Sequence, residues 1–232
     1  MKNKEVIGPI INNCEAFILA NYFKTNNETI LYIGKDDREI SNIYNRLKWL
    51  LPKNEVYLYK SWDQIPYDRV SPSKEIQLQR INTLYSININ KKKFIILATI
   101  NSVIQKTIPK DIILENSFYI QEGLEINFDI IVKKLIKLGY ERTSIVRDKS
   151  EFAIRGSILD IYLTNLRNPI RLDFYNNTIE SIYEFDPISQ KRLKKFNKEK
   201  VLVHLCNELT LNSTNVKLFR KKFSTNFYKL QK

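Results

Sequence analysis

The sequence contains only five glycines in 232 residues. A nucleotide-binding P-loop needs glycines so that backbone N–H groups can surround a phosphate, followed by a lysine and a hydroxyl-bearing residue. The nearest approach is Gly34-Lys35, which Asp36 follows, with no glycine shortly before it and no serine or threonine after it. The shortage of glycine therefore argues against a nucleotide-hydrolysing site.

Histidine and cysteine are equally scarce. Cys14 and Cys206 lie far apart, and the only histidine, His204, falls within an apolar run. These residues are too few for a zinc site, and two free thiols are typical of a cytoplasmic protein. We interpret His204 as structural, and we expect no catalytic residue, no cofactor and no metal.

Long apolar runs are also missing. The longest, such as residues 94–98, are far shorter than the ~20 residues that cross a bilayer. The first 13 residues lack the apolar stretch and small-residue cleavage site of a secretory signal. We therefore expect a cytoplasmic protein that does not contact a membrane.

Basic residues, in contrast, are abundant: the net charge is +13 and the sequence pI is about 9.5. Such a charge favours nucleic-acid binding. The composition is also rich in Lys, Asn and Ile, as AT-rich genomes favour, so a solvated basic surface explains the charge as well. The densest cluster is KRLKKFNKEK, residues 191–200, and a second comprises Arg220, Lys221 and Lys222. DNA binding through this surface remains an alternative function.

The first half of the chain alternates strand and helix signals. Short β-prone runs occupy residues 29–33, 55–59 and 94–98. Apolar residues at helical spacing predict a helix over 36–51 and another that opens at Ser71-Pro72, and a short helix is expected over 101–105. Strands that alternate with helices indicate a parallel sheet with helices packed on it.

The pattern changes after Pro109. A strand at 118–120 precedes a helix capped by Asn127 and stopped at Gly139. Short antiparallel strands follow up to residue 185, with a tight turn at Asn176 and Asn177. A last helix is marked by Val216, Phe219, Phe223 and Phe227.

The predicted fold is α/β and has three parts. Residues 1–117 begin a parallel-sheet domain, residues 118–200 form an inserted α+β domain with an antiparallel sheet, and residues 201–232 return to the first domain. The continuous apolar strand at 201–205 is expected to pair with the first sheet.

Residues 152–182, FAIRGSILDIYLTNLRNPIRLDFYNNTIESI, carry the clearest chemistry. The arginines among these apolar strands are Arg155, Arg167 and Arg171. Arg171 and Tyr175 are four residues apart on one strand and should face the same side. The alternative is that one arginine forms only a local ion pair with Asp160 or Asp173. Such arginines suit a phosphate, a carboxylate or another protein.

Three segments together resemble a known family. They are residues 62–72 (WDQIPYDRVSP), residues 150–163 (SEFAIRGSILDIYL) and residues 171–190 (RLDFYNNTIESIYEFDPISQ). Their order and spacing resemble the N-terminal, UvrB-homologous module of bacterial transcription-repair coupling factors, over about residues 29–227.

The resemblance implies a degenerate helicase-like (P-loop-fold) domain without a Walker motif, interrupted by a small domain that recruits UvrA, the damage-recognition ATPase of nucleotide excision repair. The UvrA-contacting residues of the family fall on Arg155, Arg171 and Tyr175, the last a phenylalanine in the best-known members. The family's RNA polymerase-binding domain and DNA-translocating motor are not expected in this chain, which we interpret as a non-enzymatic fragment or split-gene product.

Overall fold

The computed structural model describes residues 8–11, 14–52, 56–64, 69–197, 199–208, 217 and 220. Its contacts divide the chain into two compact units, residues 1–107 and residues 108–232. None of the helices in these described ranges is long and apolar enough to cross a membrane.

The first unit contains a parallel sheet with helices around it. Its elements are α1 (Glu15–Thr25), β1 (Ile30–Gly34), α2 (Asp37–Leu50), β2 (Val56–Tyr59), α3 (Lys74–Ile89), β3 (Ile95–Thr99) and α4 (Ile100–Val103). Strand β3 lies in the middle and pairs in parallel with both β1 and β2. The predicted alternation of strand and helix is confirmed for this unit.

The two long helices predicted from apolar spacing, α2 and α3, are confirmed. Asp36 caps α2, since its carboxylate accepts the Glu39 N–H at 2.7 Å. The buried stripe of α2 consists of Ile40, Ile43 and Leu47. Helix α3 begins later than predicted, because Ser73 is its N-cap residue and Pro72 precedes the cap instead of lying in the first turn.

Helix α1 was not predicted. Its sequence, EAFILANYFKT, is apolar on most sides, so the helical period is weak. The helix nevertheless buries Ala16, Ala20 and Phe23 in the core of the first unit. The Lys93 ammonium donates to the carbonyls of Phe23 and of Asn26, the latter at 2.6 Å, and so satisfies the end of α1.

The connection from β2 to α3 is organised by a buried arginine. The Arg80 guanidinium contacts the rings of both Tyr59 and Trp62, 4.3 Å and 4.2 Å from their centroids. It also donates to the Lys60 carbonyl at 2.7 Å. Trp62 therefore has a structural contact in this crossover.

The second unit is built on an antiparallel sheet. Its elements are α5 (Lys110–Glu115), β4 (Ser117–Ile120), α6 (Phe128–Lys137), β5 (Glu141–Arg142), β6 (Glu151–Arg155), β7 (Ile158–Ile161), β8 (Ile170–Tyr175), β9 (Thr178–Phe185), β10 (Arg192–Lys195) and β11 (Val201–His204). Six strands form one sheet in the order β10-β9-β8-β7-β6-β5, and all its pairs are antiparallel except β5 with β6. The predicted antiparallel α+β character is confirmed.

The predicted helix cap, helix end and tight turn of the second unit are also confirmed. The Asn127 side chain caps α6 by accepting the Asp129 N–H at 2.9 Å. Gly139 follows the helix with φ +88°, a conformation that glycine adopts without steric cost. Asn176, with φ 52°, turns the chain from β8 into β9.

The predicted partner of residues 201–205 is wrong. Strand β11 pairs antiparallel with β4 in a separate two-stranded sheet, and not with the parallel sheet. A continuous apolar run indicates that a strand is covered on both faces, but it does not indicate which other strand pairs with it. The helix predicted around residues 216–227 falls largely outside the described residues, and the bounds 118–200 of the inserted domain stay a prediction.

His204 is structural, as predicted. Its side chain is buried, with Nε2 3.2 Å from the Thr164 hydroxyl and Nδ1 2.8 Å from the Leu205 carbonyl. Nδ1 must carry a proton to donate to the carbonyl, so Nε2 of the neutral ring accepts from Thr164. Burial lowers the pKa of His204 to about 4.

Candidate arginine site on the antiparallel sheet

Strand β8 separates a buried face from a polar one. Its buried side chains are Ile170, Leu172 and Phe174, whereas Arg171, Asp173 and Tyr175 alternate with them on the other face. A bulge against β9 between residues 173 and 174 leaves this alternation intact. Tyr175 is 70% exposed. The prediction that Arg171 and Tyr175 share a face is therefore confirmed.

Asp160 brings the two predicted arginines together. It lies on β7 directly opposite Arg171 on β8, and its side chain is completely buried. Arg171 donates to it through two nitrogens, Nε to Oδ1 at 2.7 Å and Nη2 to Oδ2 at 3.0 Å. Arg155, at the end of β6, donates from Nη2 to the same Oδ2 atom. One buried carboxylate thus holds both guanidinium groups.

Neighbouring side chains restrict the two arginines further. The Arg171 guanidinium lies 4.7 Å from the centroid of the Phe185 ring. Arg155 Nη2 also donates to the Gln190 side chain at 3.3 Å, and Gln190 in turn donates to the Val146 carbonyl at 3.0 Å. Gln190 ends the segment 171–190 that resembles the family. The sequence does not predict it as a site residue, since nothing in its local pattern indicates a contact across 35 residues.

The two arginines differ in accessibility. The Arg171 side chain is 11% exposed and that of Arg155 is 43% exposed. Hydrogen bonds to Asp160 raise the pKa of the Arg171 guanidinium above its ordinary value. Arg155 is therefore the more accessible cation, and Arg171 is the more firmly held one.

A second arginine–carboxylate pair occupies the same face. Arg192, on β10, donates from Nη2 to Asp173 Oδ2 at 2.7 Å, and its guanidinium lies 4.5 Å from the centroid of the Tyr183 ring. Asp173 also accepts the Ser181 hydroxyl at 3.1 Å. The surface formed by Arg155, Asp160, Arg171, Asp173, Tyr175, Tyr183 and Arg192 is called the arginine face below.

Within the basic cluster at 191–200, residues 192–195 form strand β10 at the edge of the sheet. Lys194 pairs with Glu184 at 3.6 Å, and Lys195 pairs with Glu122 at 3.0 Å. Arg167 is exposed in the loop between β7 and β8 and is not among the arginines bound to Asp160.

The chemistry of the arginine face is that of recognition. Guanidinium groups form strong, directed bonds to carboxylates and phosphates, and arginines with aromatic rings are typical of binding hot spots. Within the described ranges, no three His, Cys, Asp or Glu side chains are grouped so that they could hold a metal ion.

A protein-family comparison matches the unit that carries this face. Residues 118–204 match the UvrB interaction domain, and this range contains the whole arginine face. The second unit therefore contains a segment that is similar to the UvrB interaction domain.

Curated relatives extend the similarity to the rest of the chain. A transcription-repair-coupling factor of Haemophilus influenzae is 26% identical over 228 residues, 98% of this chain and 20% of that protein. The Rickettsia prowazekii factor is 28% identical over 91% of this chain and 19% of its own length. The Borreliella burgdorferi factor is 31% identical over 74% of this chain and 15% of its own length.

The chain corresponds to the N-terminal region of transcription-repair coupling factors. It spans about a fifth of the length of the curated relatives with which it aligns over most of its own length.

Proposed function

We propose that this chain is the module of a transcription-repair coupling factor that recruits UvrA during nucleotide excision repair, and that UvrA binds the arginine face. The observation that carries the proposal is the joint anchoring of Arg155 and Arg171 by the buried Asp160, with Tyr175 exposed on the same face. The family resemblance implies that these three side chains are contact residues, and all three lie inside the segment that matches the UvrB interaction domain.

The anchoring favours a protein partner with carboxylates. A guanidinium has five N–H donors on three nitrogens. The bonds of Arg155 to Asp160 and Gln190 both use Nη2, so the donors on Nε and Nη1 are not used by these two bonds. The carboxylate that holds Arg155 is shared with Arg171, so the cluster keeps one net positive charge. An incoming carboxylate therefore meets a cation whose position is already set, which lowers the entropic cost of binding.

We also propose that the module has no ATPase site of its own. After β1, where a P-loop would lie, the Glu39 carboxylate accepts the Lys35 N–H at 2.8 Å and the Asp36 carboxylate accepts the Glu39 N–H at 2.7 Å. These amides are the groups that a phosphate at a helix N-terminus would use. The degenerate helicase-like fold itself rests on the family resemblance.

The contacts of the basic strand do not favour DNA binding as the main activity. Lys194 and Lys195 each pair with a carboxylate of the chain, so a phosphate would have to displace these partners. DNA binding through other parts of the basic surface stays a prediction. Contacts with RNA polymerase are proposed only for other domains of the full-length factors.

A titration of purified UvrA against the purified chain at several salt concentrations tests the proposal. We expect saturable binding that weakens only moderately with salt, and much weaker binding to duplex DNA. If the chain binds DNA tightly with a steep salt dependence, as phosphate contacts require, and does not bind UvrA, the DNA-binding alternative is correct.

A further inference from the structure

Arg192 is a cation that the family motifs do not assign to the site. It lies on the edge strand β10, and its guanidinium extends across β9 to reach Asp173 on β8 at 2.7 Å. The guanidinium also lies over the Tyr183 ring, 4.5 Å from its centroid. The Arg192 side chain remains 45% exposed.

The two contacts of Arg192 fix its place on the arginine face. Asp173 lies midway between Arg171 and Tyr175 along the polar side of β8. Tyr183 is the residue directly opposite Arg171 in the register of β8 with β9. The guanidinium of Arg192 therefore lies over β9 and beside β8, next to the contact positions Arg171 and Tyr175 that the resemblance implies.

We propose that Arg192 is a third arginine contact for UvrA and that it binds a carboxylate on the UvrA surface. This inference rests on the proposed function. Three guanidinium groups and the two carboxylates of Asp160 and Asp173 leave the arginine face with one net positive charge, which suits an acidic partner.

The chemistry of the site favours arginine over lysine at this position. The flat guanidinium stacks on the Tyr183 ring while its edge bonds to Asp173, and a lysine ammonium offers neither the flat face nor the fork of donors. The stacking holds the donors in place before the partner arrives, so less side-chain entropy is lost on binding.

A partly exposed ion pair such as Arg192–Asp173 contributes little to stability. Replacing Arg192 should therefore leave the fold unchanged, and a loss of affinity can be assigned to the interface. Lys194 provides a matched control, since it lies on the same strand and carries the same charge. Its ammonium pairs with Glu184, which alternates with Tyr183 and so belongs to the other face of the sheet.

The experiment measures UvrA affinity and association rate for the wild-type chain and for Arg192→Ala, Arg192→Lys and Lys194→Ala, with thermal unfolding of each. We expect Arg192→Ala to weaken UvrA binding by about fivefold or more, as for an arginine within a hot spot. Arg192→Lys should fall in between, because it keeps the charge but not the stacking. Lys194→Ala should bind within about twofold of wild type, because Lys194 pairs with a residue on the other face of the sheet and can affect UvrA only through long-range charge.

The outcomes separate the two proposals. If the wild-type chain does not bind UvrA, the proposed function and this inference both fail. If it binds UvrA and folded Arg192→Ala binds equally well, only the inference is overturned. Equal losses in Arg192→Ala and Lys194→Ala would indicate a general effect of charge and would also overturn it.

Discussion

Asp160, whose side chain is completely buried, accepts hydrogen bonds from Arg171 on both carboxylate oxygens, at 2.7 Å and 3.0 Å. Such a two-point bond fixes the plane of the guanidinium as well as its position. Arg155 donates to the same carboxylate. Asp160 therefore positions the two predicted contact residues, Arg155 and Arg171, and need not touch the partner itself.

Replacement of Asp160 by asparagine should destabilise the second unit. The Arg171 side chain, only 11% exposed, would lose its counter-charge and one of its acceptors. Removing one partner of a buried pair costs about 3 kcal/mol or more, because the remaining charge stays desolvated. Urea unfolding of wild-type and Asp160→Asn chains measures this loss of unfolding free energy.

Glu180→Gln is the matched control, since it removes an exposed carboxylate from the neighbouring strand β9. It should change stability by less than about 0.5 kcal/mol. Equal stabilities of Asp160→Asn and wild type would contradict the anchoring role of Asp160.

Acid should weaken the second unit through His204. The pKa of this buried ring is about 4 in the folded protein and about 6.5 in an unfolded chain. Between these values the unfolded chain binds a proton that the folded chain does not, so stability falls as pH falls through this window and is constant above it. At pH 5 the contribution of His204 should be about 2 kcal/mol less favourable than at pH 7.

His204 is the only histidine of the chain, so its ring signals in an NMR titration are unambiguous. They should remain those of the neutral ring down to about pH 4.5. A midpoint near 6.5 in the folded protein would show that the ring is accessible and would remove the predicted pH dependence.

The chain should not hydrolyse ATP. The carboxylates of Asp36 and Glu39 already bind the amides at the start of α2, and no glycine-rich loop precedes them. Phosphate release should stay at background for both the wild type and Lys35→Ala. Saturable hydrolysis that Lys35→Ala abolishes would show that this site is active.

The sequence predicts much of this fold because its strong periodic patterns agree with the local structure. The apolar stripe of α2, the Asn127 cap of α6 and the alternation along β8 are each local signals. Helix α1 is not predicted because its apolar residues lie on most sides of the helix and give no clear period. The partner of β11 is not predicted because strand pairing depends on segments that are distant in the sequence.

Alternation along β8 predicts that Arg171 and Tyr175 share a face, but the sequence does not predict the partners of the arginines. The sequence allowed one arginine to pair with Asp160 or Asp173, whereas in the structure Arg155 and Arg171 share Asp160, and Arg192 takes Asp173. Strand register decides these partners, and alternation within a strand cannot specify the register between strands.

The central claim is that UvrA binds the arginine face, and Arg155→Ala tests it most directly. Arg155 is the more exposed of the two anchored arginines, so its removal leaves Arg171 paired with Asp160. Arg167→Ala is the matched control, because it removes an exposed arginine of the same sheet domain, from the loop between β7 and β8. Circular dichroism of both variants verifies that they fold.

In a titration with UvrA, Arg155→Ala should bind at least about tenfold more weakly than wild type, a loss of about 1.4 kcal/mol. Arg167→Ala should bind like wild type. If wild-type, Arg155→Ala and Arg167→Ala chains, all folded, bind UvrA with the same affinity, the arginine face is not the UvrA-binding surface.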